Sequence, residues 1–241
     1  MLPLKDDNKL HTFPIFTIGL IAANCLVFFY QMTLPAPAQE QFVFRFGLIP
    51  FAITNMRLLM PGASFPIWLS PFSSMFLHAD LWHLLGNMLY LWIFGNNVED
   101  YLGHFKFLAF YLLSGLAAVA LFVALNPDGR MPLVGASGAI AGVLGAYLVA
   151  FPRSRVLTLI WILFFVRMIW LPAVFLLGYW IIIQIVMAAA SVGARTDGGV
   201  AWSAHVGGFV FGWIVMRLLK RQLAAARHIA VDNTDYYGRW H

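Results

Sequence analysis

A series of six apolar runs, separated by polar, glycine or proline breaks, constrains this chain more than any other feature. A membrane-spanning helix satisfies its own backbone hydrogen bonds and needs about 20 apolar residues. Of the 241 residues, 61% are hydrophobic and 10% are charged, whereas an ordinary soluble domain is about 25% charged. The sequence therefore predicts an all-α membrane protein with six transmembrane helices, at residues 13–32, 81–94, 105–125, 137–151, 171–190 and 200–216.

Lysine and arginine are unevenly distributed between the segments that connect these spans. With the N-terminus inside, eleven lie inside and four outside, as the positive-inside rule expects. The net charge of +5 thus reflects topology, and no continuous basic patch indicates nucleic acid as a partner. We predict a multi-pass protein of the bacterial inner (plasma) membrane, embedded in the lipid bilayer, with a cytoplasmic N-terminus (1–12), a transmembrane domain (13–219) and a cytoplasmic C-terminal tail (220–241).

Two segments depart from the pattern of simple spans. Residues 156–170 are apolar, but as a helix they reach only about 22 Å, and they contain Arg167. We therefore predict an interfacial segment there, leading into the fifth helix at Leu171-Pro172, instead of a seventh span. Residues 33–77 contain six prolines that prevent one continuous helix, and they are predicted to lie partly in the outer interface.

The N-terminal region also has an alternative interpretation. Lys5 and Lys9 precede an apolar run that is followed by Ala36-Pro37-Ala38, an arrangement that imitates a signal peptide with its cleavage site. The apolar run is long for a signal core, which favours an uncleaved first span.

Four polar side chains interrupt the spans: His83 and Asn87 in the second, Ser137 in the fourth and His205 in the sixth. Even-numbered spans run in the same direction, so distance from the inner end is a common measure of depth. At about 1.5 Å per residue, the distance from the inner end of the span is about 22 Å for Ser137, about 20 Å for His83 and about 18 Å for His205. The three are predicted to share one level, although each alone is also explained by helix packing.

The position of Ser137 favours nucleophilic chemistry. The fourth span is short, so residues 126–135 must dip inward and leave Ser137 at a helix N-terminus, where unpaired N–H groups suit a developing oxyanion. A hydroxyl becomes a nucleophile when a base takes its proton, and His205 is the candidate base. His83 and Asn87, four residues apart on one helix face, can donate to the oxyanion. No carboxylate lies within a span, so a dyad is predicted.

A metal site is the alternative use of the histidines. Asp80 is predicted to cap the second helix, and His78 lies just before it. His78, His83 and His205 could together bind a metal ion, but no carboxylate or cysteine accompanies them. We therefore predict neither a metal nor another cofactor.

The sequence around these residues resembles the rhomboid intramembrane serine proteases. The stretches HADLWHLLGNM (78–88), GNNVEDYLG (95–103), GASGAIAG (135–142) and AHVGGFVFG (204–212) occur in the family's order. They are similar to the H-x-x-x-N, G-x-S-G and A-H-x-x-G signatures, and the likeness extends over roughly residues 72–219. The resemblance implies a rhomboid-like six-helix bundle with a partly membrane-embedded first external loop. It also implies a serine endopeptidase that cleaves transmembrane or juxtamembrane segments of membrane protein substrates.

The same resemblance implies individual roles. Ser137 would be the nucleophile, His205 the general base, and His83, Asn87 and the Ser137 amide the oxyanion hole. Gly135 would shape the loop at the nucleophile, and Gly208 and Gly212 would let the fourth and sixth helices approach closely. His78 and Gly138 would pack near the site.

The chain departs from the family pattern at two places. Many members carry an aromatic residue four positions after the serine, where it can stack on the histidine, but this chain has Ala141. Another residue must therefore orient His205. The Trp-Arg pair that some members carry in the first external loop has no clear counterpart; the nearest segments read VFRFGLIP and NMRLLMP.

Substrate entry is predicted to involve the fifth helix and the loop at residues 191–199, SVGARTDGG. Two other functions are compatible with parts of the sequence. One is a non-catalytic rhomboid-like protein that binds transmembrane clients. The other is a transporter that uses the polar cluster, which the lack of carboxylates within the spans and of an inverted repeat disfavours.

Overall fold

The computed structural model describes residues 1–57, 65–162, 165–191 and 200–237, with side chains up to Gln222 except those of Ile162 and Phe165. The chain in these ranges is mainly helical. The helices are α1 Ile15–Thr33, α2 Ala36–Phe46, α3 Pro50–Asn55, α4 Ser70–Ser73, α5 Leu81–Tyr90, α6 Asn96–Leu102, α7 His104–Leu125, α8 Ser137–Ala150, α9 Ala173–Ser191 and α10 Trp202–Tyr237. The strands are β1 Leu2–Asp6, β2 Arg155–Ile162 and β3 Phe165–Pro172.

Within the described ranges, four helical segments are long and apolar enough to cross a membrane: α1, α7, α9 and the Trp202–Gln222 part of α10. Helix α5 continues through a wider π-helical turn, Leu91–Gly95, into α6, so that residues 81–102 form one unbroken helical segment. Helix α8 is apolar but has only 14 residues. These six segments occupy the positions of the six predicted spans, and the all-α membrane fold is confirmed.

The long segment between α1 and α5 is broken into short helices, as its prolines predict. Besides α2, α3 and α4, its described residues include two 3₁₀ turns, Ile67–Leu69 and Ser74–Phe76. It is anchored to the segment before α8, because Leu48 and Leu133 exchange two backbone hydrogen bonds of 3.0 and 2.7 Å. The Ser73 hydroxyl also donates to the Phe46 carbonyl at 2.6 Å. The Leu48–Leu133 pair attaches the loop to the segment before α8, and the Ser73–Phe46 bond joins two parts of the loop itself. Part of NMRLLMP lies outside the described residues.

The described residues of the segment 156–170 form two paired β-strands instead of a further span. Strand β2 pairs antiparallel with β3, and β1 from the N-terminus pairs antiparallel with the other edge of β2. Strand β3 leads into α9, which begins at Ala173, two residues after the predicted start of the fifth helix. Strands β2 and β3 carry apolar residues on both faces, so no alternation of polar and apolar residues marks them as strands.

Two clusters of hydrogen bonds tie the N-terminal residues to the bundle. The Asp6 carboxylate accepts from the amides of Asn8 and Asn97, at 2.8 and 2.9 Å, and from the Tyr147 hydroxyl at 2.7 Å. The buried Glu99 carboxylate accepts from the backbone N–H groups of Phe16 and Thr17. Glu99 therefore caps the N-terminus of α1, whose first N–H groups have no partner within the helix.

Helix α8 lies at the centre of the core. All its residues from 139 to 147 are buried, and its most extensive contacts are with α10 and α7. A Cβ atom at Gly208 would overlap the carbonyl oxygen of Gly138, and one at Gly212 would overlap that of Gly142. The backbones of α8 and α10 therefore touch, which brings the beginnings of the two helices together.

Candidate active site

Ser137 and His205 are in direct contact where α8 and α10 begin. Ser137 is the first residue of α8, and His205 lies in the first turn of α10. The Ser137 Oγ and His205 Nε2 atoms are 2.8 Å apart, a hydrogen-bond distance. His205 is only 8% exposed. The arrangement allows the imidazole to receive the hydroxyl proton, which is the step that activates a serine.

The loop before Ser137 holds the start of α8 in place. The Gly135 N–H donates to the Ser74 carbonyl at 2.9 Å. Gly135 has φ +125°, a conformation that glycine alone adopts readily. No side chain caps α8 at Ala136, so the first N–H groups, with the positive end of the helix dipole, are available beside the Ser137 hydroxyl.

His83 and Asn87, on α5, face this loop. The predicted cap is confirmed: the Asp80 carboxylate accepts from the His83 N–H at 2.9 Å and starts the helix. A Cβ atom built on Gly135 would lie 2.8 Å from His83 Nε2 and 3.7 Å from Asn87 Nδ2. Both side chains therefore approach the turn that carries Ser137, and both have N–H groups to donate.

His78 makes a polar contact that the sequence did not predict. Its Nε2 atom lies 2.9 Å from Asn87 Nδ2, and its ring meets the His83 ring edge-on at 5.1 Å. Burial lowers the pKa of His78 to about 3, so the ring is neutral and Nε2 can accept from the Asn87 amide. His78, predicted as a packing residue, therefore also fixes the orientation of Asn87.

The opposite side of the His205 ring contacts α9. His205 Nδ1 lies 2.7 Å from Gln184 Oε1, and the Trp180 ring lies over the imidazole at 5.7 Å with an interplanar angle of 36°. Trp202 approaches the same ring edge-on at 6.4 Å. Sequence reasoning missed Gln184, although a single amide side chain in the apolar run IIIQIVM is a detectable signal.

The metal alternative gains no support from the geometry. In the part of the chain that the structure describes, no three His, Cys, Asp or Glu side chains are grouped so that they could hold an ion, and this includes His78, His83 and His205. The predicted entry loop, residues 191–199, lies outside the described residues except for Ser191.

The fold and this site define a multi-pass helical membrane protein with a serine–histidine contact at the start of its central helix. Residues 67–222, more than half of the chain, match the Rhomboid domain. The chain belongs to the rhomboid family.

Three similar proteins illustrate the range of relatives. Rhomboid protein 1, mitochondrial, from Saccharomyces cerevisiae is 31% identical over 164 residues, which cover 64% of this chain and 44% of the yeast protein. Rhomboid protease AarA from Providencia stuartii is 35% identical over 144 residues, 54% of this chain and 48% of AarA. Presenilin-associated rhomboid-like protein, mitochondrial, from Homo sapiens is 33% identical over 139 residues, which cover 57% of this chain and 33% of the human protein.

The chain thus spans less than half the length of each of these relatives. Two of the three are named as mitochondrial. They give no support to the predicted bacterial inner membrane, whereas the apolar helices do support a multi-pass membrane protein.

Proposed function

We propose that this protein is an intramembrane serine endopeptidase that cleaves transmembrane or juxtamembrane segments of other membrane proteins. The observation that carries the proposal is the 2.8 Å contact between Ser137 Oγ and His205 Nε2 at a helix N-terminus. The relative AarA, which is named a rhomboid protease, supports the same activity. The substrate would be a polypeptide held in the bilayer.

The proposed reaction begins with Ser137. Its Oγ attacks the carbonyl carbon of the scissile peptide bond while His205 Nε2 takes the hydroxyl proton. The carbonyl oxygen becomes an oxyanion, and His205 then passes the proton to the leaving amine as the C–N bond breaks. A water molecule attacks the resulting acyl-enzyme, again with His205 as base, and releases the new carboxylate and free Ser137.

Three groups would stabilise the oxyanion: the Ser137 N–H, the His83 ring and the Asn87 amide. The closeness of His83 and Asn87 to Gly135 supports this assignment. Fixed donors in a site with little water stabilise developing charge more than water does, because they need no reorganisation. The contact between His78 and Asn87 would keep the amide aimed at the reacting carbonyl. Every group in the scheme belongs to the chain, so the proposed reaction needs no cofactor.

The topology proposed with this function has both termini in the cytoplasm, as the distribution of basic residues indicates. The site would then open toward the outer side, where the segment before α8 lies. Substrates would enter beside α9 and the loop at residues 191–199, and they must unwind locally, since a peptide bond inside a helix is shielded from Ser137.

The test is cleavage of a defined transmembrane substrate by purified protein in liposomes. We expect Ser137→Ala and His205→Ala each to lower kcat/KM by about a thousandfold or more, the usual scale for removing an activated nucleophile or its base. Ser114→Ala is the matched control, because the hydrogen bond found for the buried Ser114 hydroxyl goes to the Phe110 carbonyl of its own helix. A fluorophosphonate should label the wild type and the control, but not Ser137→Ala.

The competing function, client binding without catalysis, makes the opposite prediction. A wild-type protein that neither cleaves nor labels, or a Ser137→Ala variant that still cleaves, would overturn the protease proposal. Capture of the uncleaved substrate to the same extent by the wild type and by Ser137→Ala would then support the client-binding alternative.

A further inference from the structure

His205 is held from both sides, and α9 supplies the contacts on the side away from Ser137. Gln184 is 4% exposed and His205 is 8% exposed, so the contact between them is sheltered from solvent. Trp180 and Gln184 lie one turn apart on α9, and both touch the imidazole. Since position 141 is alanine, the helix that carries Ser137 supplies no aromatic ring for this purpose.

The orientation of the Gln184 amide follows from its partners. Gln184 Nε2 lies 3.2 Å from the Trp180 backbone carbonyl. A carbonyl oxygen can only accept, so the NH₂ group must face it. The amide oxygen Oε1 is then the atom that faces His205 Nδ1, at 2.7 Å.

The protonation of the imidazole follows in turn. An amide oxygen also can only accept, so Nδ1 of His205 carries the proton. In the neutral ring Nε2 is then unprotonated, and its lone pair faces the Ser137 hydroxyl at 2.8 Å. A general base needs this tautomer, because the opposite one would point an N–H group at the serine.

We propose that Gln184 is a positioning residue that fixes the tautomer and orientation of His205, with the Trp180 ring restricting the same imidazole from its face. The inference rests on the proposed function, since it assigns Gln184 a part in activating Ser137. Gln184 does not touch the reacting atoms. It acts only through His205.

Among the described residues that contact the His205 ring, none is a carboxylate, which distinguishes this arrangement from a Ser-His-Asp triad. From α8 the imidazole meets Ser137, and from α9 it meets Gln184 and Trp180, none of which is charged. The nearby titratable side chain on α5 is His83, which faces the turn before Ser137. Gln184 therefore sets which nitrogen holds the proton, and it supplies no negative charge to stabilise the imidazolium.

Because the proposed role of Gln184 is to accept a hydrogen bond and not to supply charge, Gln184→Met and Gln184→Glu should differ in activity. Gln184→Met keeps the length of the side chain but has no acceptor for Nδ1–H. We expect kcat to fall about tenfold to a hundredfold, the scale of losing one buried hydrogen bond, with KM unchanged. Gln184→Glu keeps an acceptor oxygen, so activity should be rescued to within about threefold of the wild type at the optimum pH.

The rate of fluorophosphonate labelling of Ser137 as a function of pH tests the tautomer directly. For Gln184→Met we expect the alkaline plateau of the labelling rate to fall, because part of the neutral imidazole adopts the wrong tautomer. For Gln184→Glu we expect the plateau to remain and the pH of half-maximal labelling to rise, since a carboxylate favours the protonated ring. Ile185→Met, at a half-exposed position beside Gln184 on α9, is the matched control.

The outcomes separate the two proposals. If the wild type does not label or cleave, the proposed function fails. If the wild type is active and Gln184→Met matches it in kcat and in plateau height, only the positioning role of Gln184 is overturned. A loss in Gln184→Met that Gln184→Glu does not rescue, accompanied by a lower unfolding temperature, would also overturn it in favour of a packing role.

Discussion

At the residue scale, Gly135 combines two requirements that no other residue type satisfies. Its φ of +125° is strained for any residue with a Cβ atom. A Cβ atom there would also lie 2.8 Å from the His83 ring, well inside van der Waals contact. Both the turn before Ser137 and the position of the His83 ring therefore require a residue without a Cβ atom at position 135.

We predict that Gly135→Ala lowers the free energy of unfolding by about 1–3 kcal/mol, the scale of a strained backbone conformation. Cleavage should fall at least about tenfold, because His83 must move away from the position of the oxyanion. Thermal unfolding and cleavage of the transmembrane substrate measure the two effects. Gly86→Ala on α5 is the control, since a Cβ atom there meets nothing within 4 Å. Equal activity of the two variants would contradict this account of Gly135.

Single residues were predictable from sequence where polarity contrasts with an apolar surrounding. His83, Asn87, Ser137 and His205 all stand out in this way, and the structure gathers them at one end of α8. Gln184 has the same contrast, but nothing in the sequence states which helix face it occupies. The hydrogen bond between His78 and Asn87 was not predictable, since it depends on the conformation of the loop that places His78 beside α5.

At the scale of elements, the contact between α8 and α10 is set by glycine. The Cβ positions of Gly208 and Gly212 coincide with carbonyl oxygens of α8, so the helices approach backbone to backbone. Small residues at the contact allow such approaches in membrane proteins, where packing is a main driving force for association. The distance between Ser137 and His205 is a direct result of this approach.

We predict that Gly208→Ala separates α8 from α10 and lowers the free energy of unfolding by about 1–3 kcal/mol, as overpacking does. The cleavage rate should fall about a hundredfold, because a shift of about 1 Å between Ser137 and His205 is enough to cause such a loss. Cleavage and fluorophosphonate labelling check this prediction. Gly178→Ala on α9, where a Cβ atom has no neighbour within 4 Å, should behave like the wild type. Full activity of Gly208→Ala would show that the close approach is unnecessary.

Elements were predictable where one periodicity dominates, and not elsewhere. The apolar runs predicted the helices, because a continuous apolar run of about 20 residues is typical of a transmembrane helix. Strands β2 and β3 were not predicted, since their apolar residues on both faces hide the alternation of a half-buried strand. The pairing of β1 with β2 joins residues that are at least 150 positions apart, and no local pattern indicates it.

At the scale of the whole molecule, Asp6 joins the N-terminal strand to two helices of the bundle. Its carboxylate accepts from Asn97, at the end of the second span, and from Tyr147 on α8. Desolvation by burial raises the pKa of Asp6 above its ordinary value of 3.8, against the lowering effect of the hydrogen bonds from Tyr147 and Asn8. Ionisation of Asp6 is therefore less favourable in the folded chain than in the unfolded one.

The sign of the resulting pH dependence follows. A raised pKa means that the folded state holds the proton more tightly, so the contribution of Asp6 to stability is fully present below pH 3.8 and is lost as pH rises through the folded-state pKa. We predict that, as pH rises through the folded-state pKa of Asp6, the unfolding temperature of the wild type falls relative to that of Asp6→Asn. Thermal unfolding in detergent at a series of pH values measures the difference. Asp128→Asn, at an exposed position, should give a curve parallel to the wild type, and a parallel curve for Asp6→Asn would refute the prediction.

The length of α8 has a consequence for the products of the proposed reaction. Its 14 residues span about 21 Å of a hydrocarbon layer about 30 Å thick. With the far end of α8 at one boundary, Ser137 lies about 9 Å beneath the other, a depth of about six helical residues. A polypeptide severed there retains on one fragment a stub of about six buried residues, far short of the roughly 20 that anchor a chain. We therefore expect one hydrolysis to convert that fragment from a tethered protein into a freely diffusing one.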